Sequence, residues 1–378
     1  MIYLDHTATT KPYPEVIKTL AQAMDEDYYN PASMYQAGLK LARARRDLFN
    51  QLGQDLGCTG ENLIQTSGAT ESTNMAFKGL YSKYGKRLNE LVVLTSDHHA
   101  TLETAKSLES RGAKVHYLAP DRQGHLPAER LLRVLNNKTL LVSLLYVNNE
   151  SGTILNLPEL VPLIRQAAPY AFIHGDLVQA WGKLPLNLEA MDLDLASLSG
   201  HKIHGPKSIG LLYRKDKCYP DALIHGGGQQ NNWRSGTEDY PLLKALTVAS
   251  KKHVGTMEES RPVLDNYVRI LHETVRKLGG LINFPNALPE IQSIAFPGLR
   301  GQTLMNMLEK SGALVSTSSA CQAKNTGVSH VLSAMGVDRE DAEGTLRISL
   351  DRTNTLEEIR TFCKILEDQV TLLRKWGM

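Results

Sequence analysis

The sequence predicts an α/β protein built on a mostly parallel β-sheet, followed by a smaller α+β domain. Three observations carry this. From residue 60 short apolar runs alternate with segments of helical periodicity, as in a sheet whose strands are buried on both faces. The chain has 378 residues, 42% of them hydrophobic, enough for a sizeable core and about two domains. Near residue 240 the alternation stops and a helix-rich stretch begins.

Taken in order, residues 5–10 are short and polar and run into Pro12 and Pro14, so they read as a loop or an edge segment. Val16, Leu20 and Met24 recur at helical spacing over 14–25. Asn30-Pro31-Ala32-Ser33 breaks the chain, and a long helix over about 35–56 follows. Strands are expected at 63–66, 91–95, 114–118, 140–146, 171–174, 193–198 and 209–213. Helices fall between them at 69–81, 100–111, 127–136 and 158–167. After a helical stretch over 240–278 come strands at 292–296, 313–316 and 345–350. Helices are expected there at 301–311, 328–335 and 355–375. The large domain is read as residues 12–255, and residues 1–11 with 256–378 as the small one.

Composition narrows the function classes. The net charge of +2 gives no overall bias toward nucleic acid or a membrane surface. No apolar run approaches the roughly 20 residues that span a bilayer. Met1-Ile2-Tyr3-Leu4-Asp5 lacks the charged start and apolar stretch of a signal peptide. A cytoplasmic protein is expected, with neither nucleic acid nor membrane as a direct partner. Cys58, Cys218, Cys321 and Cys363 lie far apart and form no CxxC pair, so neither a zinc site nor a disulfide framework is expected. Any special cysteine should be a single reactive thiol.

Several polar groups follow predicted strands, where α/β sheets hold their ligands. Ser199-Gly200-His201-Lys202-Ile203-His204-Gly205-Pro206-Lys207 reads as a tight loop between two buried strands. A lysine so held can lose solvation and have its pKa lowered, as a Schiff-base lysine needs. Thr66-Ser67-Gly68-Ala69-Thr70-Glu71-Ser72 is a turn into a helix start that would bind a phosphate, or an ordinary Ser/Thr N-cap. Asp97-His98-His99 offers a histidine to stack on a ring, or a solvated loop. Asn148-Asn149-Glu150 offers amides, or a plain turn. In His174-Gly175-Asp176-Leu177-Val178-Gln179 the aspartate could hold a pyridinium nitrogen protonated, or cap a helix. Together these groups meet the needs of pyridoxal phosphate. A nicotinamide-binding sheet, the competing reading, calls for GxGxxG after the first strand, and none stands there.

At these motifs the sequence resembles the cysteine desulfurases, the NifS/IscS-like members of the class V aminotransferase group. The resemblance rests on residues 66–72, Val147-Asn148-Asn149-Glu150, Ser199-Gly200-His201-Lys202, Arg234-Ser235-Gly236-Thr237 and Ser319-Ala320-Cys321, in the family's order. It implies the fold-type-I pyridoxal phosphate fold, with a mostly parallel seven-stranded sheet. It further implies that Lys202 carries the cofactor, His98 stacks on its ring and relays protons, and Asp176 partners the ring nitrogen. Gln179 and Asn149 would sit on the ring hydroxyl side, with Asn149 also near the substrate. Ala69, Thr70, Ser199 and His201 would bind the phosphate. Thr237 would reach the partner subunit's site in a homodimer. Arg347 would hold the substrate carboxylate, and Cys321 would take sulfur from L-cysteine as a persulfide, releasing alanine. The sulfur would go to an acceptor protein, a tRNA-thiolation enzyme or an iron–sulfur scaffold. Two other readings stay open: a selenocysteine lyase or true aminotransferase of the same group, and a non-enzymatic sulfur-relay paralogue. Asp351 departs from the family pattern, standing where a glycine is usual.

Overall fold

A computed structural model describes residues 1–317 and 328–375. Its strands are β1 Ile2–Tyr3, β2 Leu63–Thr66, β3 Glu90–Leu94, β4 Lys114–Leu118, β5 Thr139–Leu145, β6 Phe172–Asp176 and β7 Leu195–Ser199. They continue with β8 Gly210–Arg214, β9 Leu281–Ile282, β10 Gln292–Ala295, β11 Ala313–Leu314, β12 Ser316–Thr317 and β13 Thr345–Ile348. Helices α1 Pro14–Glu26, α2 Gln36–Leu56, α3 Ala69–Tyr84, α4 His99–Glu109, α5 Ala128–Leu132 and α6 Leu157–Ala167 belong to the first part. Helices α7 Tyr240–Gly255, α8 Met257–Lys277, α9 Gly301–Lys310, α10 His330–Ala334, α11 Arg339–Glu343 and α12 Leu356–Lys375 follow.

The seven-stranded sheet has the order β2-β8-β7-β6-β5-β3-β4, and only β8 runs against its neighbours. Every residue of β3, β5 and β7 is buried, which explains why these strands read as largely apolar runs. One face is covered by Met75, Phe77 and Leu80 of α3 with Leu102 and Leu108 of α4. The other is covered by Val16, Leu52, Leu56, Leu160, Ile164, Leu243 and Leu246 from α1, α2, α6 and α7. A four-stranded antiparallel sheet, β12-β13-β10-β9, backs onto α8, α9 and α12 through Leu264, Leu271, Leu304, Phe362 and Leu366. Ile2 and Leu4 belong to this second core.

Local chemistry explains the boundaries. Pro14 opens α1, where its missing N–H costs nothing. Gly57 ends α2 in the left-handed conformation (φ +65°). The helix expected over 127–136 shrinks to α5, because Asn136 closes its own turn by accepting from Lys138 N and donating its backbone N–H to Thr139 Oγ1. The strand expected over 313–316 is two strands. β11 pairs in parallel with β1, and β12 pairs with β13. The N-terminal stretch is thus tied down: Leu4 N donates to Leu314 O and Ser349 N to Leu4 O. It then crosses to the large sheet, where Thr10 N bonds His201 O and Tyr13 N bonds His204 O. No helix among the described residues is long and apolar enough to cross a membrane.

Candidate active site

Strands β2, β5, β6 and β7 run the same way and end at one edge of the sheet, where a cavity of about 660 Å³ opens. At one end the chain leaves β2 through Ser67 and Gly68 and enters α3. Gly68 has φ +147°, a backbone region that suits glycine. Ala69 and Thr70, the first residues of α3, line the cavity with Ser199 and His201. A helix start offers backbone N–H groups and the positive end of the dipole to an anion. Glu71 accepts from Ser67 N (2.8 Å) and pairs with Arg234 Nε (2.9 Å), so its charge is taken up locally. His201 Nδ1 meets Thr9 Oγ1 at 3.1 Å, and burial, helped by the Lys202 and Lys207 charges, pushes its pKa down to about 4.

Lys202 sits in a tight turn, Gly200–Lys202, straight after β7. Its Nζ donates to the carbonyls of Thr7 (2.6 Å) and Ala8 (2.7 Å) on the N-terminal crossing segment. Asp176 ends β6; one carboxylate oxygen accepts from Val178 N at 3.1 Å, and burial raises its pKa to about 6 against the pull of Lys202. His98 caps α4, with Nδ1 accepting from Ala100 N at 3.1 Å, which puts its proton on Nε2. The ring is open to the cavity, yet the protein packed around it and the Lys202 charge hold its pKa below the ordinary value. It is therefore neutral at physiological pH.

Asn149 and Arg347 line the far wall. Arg347 is buried in β13, donating through Nη1 to Asn149 O (3.1 Å) and through Nη2 to Asp5 Oδ1 (2.8 Å). Its Nε and Asn149 Oδ1 are buried without a hydrogen-bond partner among the described residues. The neighbouring Asn148 and Glu150 serve the turn instead. Asn148 Oδ1 accepts from Glu150 N and Ser151 N, and Glu150 accepts from Ser329 Oγ. Gln179 completes this side, its Nε2 donating to Thr7 O at 3.2 Å.

The cavity thus gathers Ala69, Thr70, His98, Asn149 and Asp176 with Gln179, Ser199, His201, Lys202 and Arg347. Thr237 is exposed and outside it. Cys321 lies outside the described residues. Thr317 ends β12 beside Arg347's strand. Burial raises the pKa of Cys58 to about 12 and that of Cys218 and Cys363 upward, so all three stay thiols. Asp5, Thr7 and Ala8 also line the cavity, and the motifs around Lys202 gave no signal of them. His6, His204 and Asp351 bring donor atoms within 4.8 Å of one another in the interior. Lys183, Arg352 and His253 crowd the same place, which makes Asp351 the counter-ion of a basic cluster.

Pyridoxal phosphate fits these donors. An anion suits the α3 start, a protonated ring nitrogen suits Asp176, a flat neutral imidazole flanks the middle, and the lysine amine faces in. An α/β sheet with a lysine loop and helix start at its carboxyl edge defines a pyridoxal phosphate-type enzyme fold, and the comparisons name the family. Residues 2–362 match aminotransferase class-V, and the chain belongs to that family. It is 34% identical over 371 residues to cysteine desulfurase IscS of Clostridium botulinum strain Kyoto, covering 97% of this chain and 93% of that protein. A solved NifS-like protein superposes with a TM-score of 0.93 at 34% identity, covering 98% of this chain and 99% of the other. A structure of SspA in complex with cysteine superposes at 0.83 with 29% identity, over 94% of this chain and all (100%) of the other.

Proposed function

We propose that the protein is a pyridoxal phosphate-dependent cysteine desulfurase, with Lys202 as the cofactor lysine and Cys321 as the sulfur-accepting nucleophile. The observation that carries the reading is the convergence of Lys202, Asp176, His98 and the α3 start, from distant parts of the chain, on one cavity. The cofactor, when bound, supplies an electron sink for the carbon that loses its proton. The protein's residues do the rest. Ala69 and Thr70 N–H groups with Ser199 and His201 anchor the phosphate, and Asp176 keeps the ring nitrogen protonated. Arg347 orients the substrate carboxylate, with Asn149 beside it. Lys202 takes the Cα proton and His98, neutral with its proton on Nε2, relays protons. The Cys321 thiolate attacks the substrate sulfur: the S–S bond forms, the C–S bond breaks, and the carbon takes a proton to give alanine. The persulfide sulfur passes to an acceptor protein of the tRNA-thiolation or iron–sulfur scaffold class. A homodimer, with Thr237 reaching the partner's site, accords with Thr237 lying outside the cavity of its own chain. The proposed division into residues 12–255 and residues 1–11 with 256–378 is supported by the cluster that joins Ile2 and Leu4 to residues between Leu264 and Leu373, while Leu288 and Ile291 pack into the core of the large sheet.

The test is alanine formation from L-cysteine by wild type and Cys321→Ala. The variant should keep the cofactor's visible band and form no alanine. Equal alanine formation by both would make Cys321 incidental and return the reaction to a lyase or transaminase.

A further inference from the structure

Lys183 is a lysine with 5% exposure, a rare burial for this side chain. Its Nζ donates to Gln179 Oε1 at 2.7 Å. The other end of that amide, Nε2, donates to Thr7 O, which also accepts from Lys202 Nζ at 2.6 Å. A run of hydrogen bonds therefore links Lys183 to the cavity wall and to Lys202. The family resemblance puts Gln179 on the cofactor's ring hydroxyl side, and the reaction set out above gives Lys183 no part.

A carboxamide has one accepting end and one donating end. An ammonium only donates and a carbonyl only accepts, so Lys183 and Thr7 O together decide which way the Gln179 amide faces. Nε2 carries two N–H bonds. With one spent on Thr7 O, the other is left for the cavity that Gln179 lines. Were the amide turned over, a carbonyl oxygen would face that space. Burial pulls the Lys183 pKa down to about 8, while Glu290 and Asp351 hold it up, so the ammonium persists at neutral pH. Arg352 also faces it, and Arg261 donates to its backbone carbonyl at 2.6 Å.

We propose that Lys183 is a positioning residue that pins Gln179 with an N–H toward the cavity, so that an anionic ring oxygen of the cofactor meets a donor there. The proposal rests on the cofactor reading given above. It acts through Gln179 alone, and that is what the experiment isolates.

Holoprotein of wild type, Lys183→Met, Lys183→Arg, Gln179→Leu and the double variant Lys183→Met/Gln179→Leu is titrated. The reading is the pH at which the bound cofactor's visible band changes, with the thermal midpoint followed alongside. A ring-oxygen anion left without its donor holds the neighbouring proton more tightly. The Lys183→Met transition should therefore move up by about one pH unit, the tenfold effect of one hydrogen bond to a charged group. Lys183→Arg, which keeps a donor, should stay at the wild-type value. In the Gln179→Leu background, adding Lys183→Met should move the transition no further. A full additional shift in the double variant would overturn the proposal. So would a Lys183→Met protein that loses thermal stability while keeping the wild-type transition. A wild-type protein with no visible band would overturn the cofactor reading itself and this proposal with it, and that failure looks different from the other two.

Discussion

Gly210 is where the cavity depends most directly on one hydrogen atom. It pairs with Thr66 of β2 on one side and Ser199 of β7 on the other, the residues that lead into the phosphate-binding turn and the lysine turn. A Cβ at Gly210 would lie 2.5 Å from Leu198 O and 2.6 Å from Gly68 Cα. Both are backbone atoms, which cannot swing aside as a side chain would. Alanine at this position must therefore spread β2 from β7 or lift Gly68. Overpacking of this kind costs about 1–3 kcal/mol. For a chain of 378 residues that is roughly 1–4 °C in thermal midpoint. The displaced Gly68 carries the start of α3 with it, so cofactor retention should fall further than stability alone explains. Thermal unfolding with and without added cofactor, together with equilibrium dialysis, measures both. A Gly210→Ala protein with wild-type midpoint and wild-type cofactor affinity would refute the argument.

Two further outcomes follow from the site and its surroundings. His174 is fully buried between Ser143 Oγ (3.0 Å) and Ser197 Oγ (2.8 Å), and burial pushes its pKa down to about 3. The unfolded chain binds that proton and the folded one refuses it, so the stability it contributes is complete above about pH 6.5 and is lost as pH falls toward 3. Between pH 7 and 5 wild type should lose about 2 kcal/mol more than His174→Gln in denaturant unfolding; parallel pH curves would contradict this. Arg347→Lys replaces a forked donor with a point charge, so kcat/KM for L-cysteine should fall about 10–100-fold, mainly through KM. An unchanged KM would remove Arg347 from the substrate's carboxylate.

Much of the sheet was legible because parallel strands covered on both faces are mostly apolar, as β5 is at five of its seven buried residues. The carboxyl ends are legible too, since polar groups at or just past the ends of β2, β6 and β7, namely Ser67, Asp176 and Ser199, fall on one edge. What the sequence hid is of another kind. Thr7 and Ala8 hold Lys202 through backbone carbonyls, which leave no side-chain signature. The Asp5–Arg347 pair joins residues far apart in the chain, brought together by pairings such as β1–β11 and Leu4–Ser349. Lys183 reads as a surface lysine until the packing around Gln179 and Arg261 encloses it. Asp176 and Asn149 each carried an ordinary reading as a cap or turn. Their neighbours Asn148 and Val178 do serve those turns, so the local chemistry gave both answers at once.

The most direct test of the account is to reduce the purified yellow protein with borohydride, digest it and locate the cofactor's mass. The account predicts the label on the peptide carrying Lys202. A label on Lys207, which also lines the cavity, or on Lys183 would contradict the arrangement argued for here, as would a visible band with no covalent label at all.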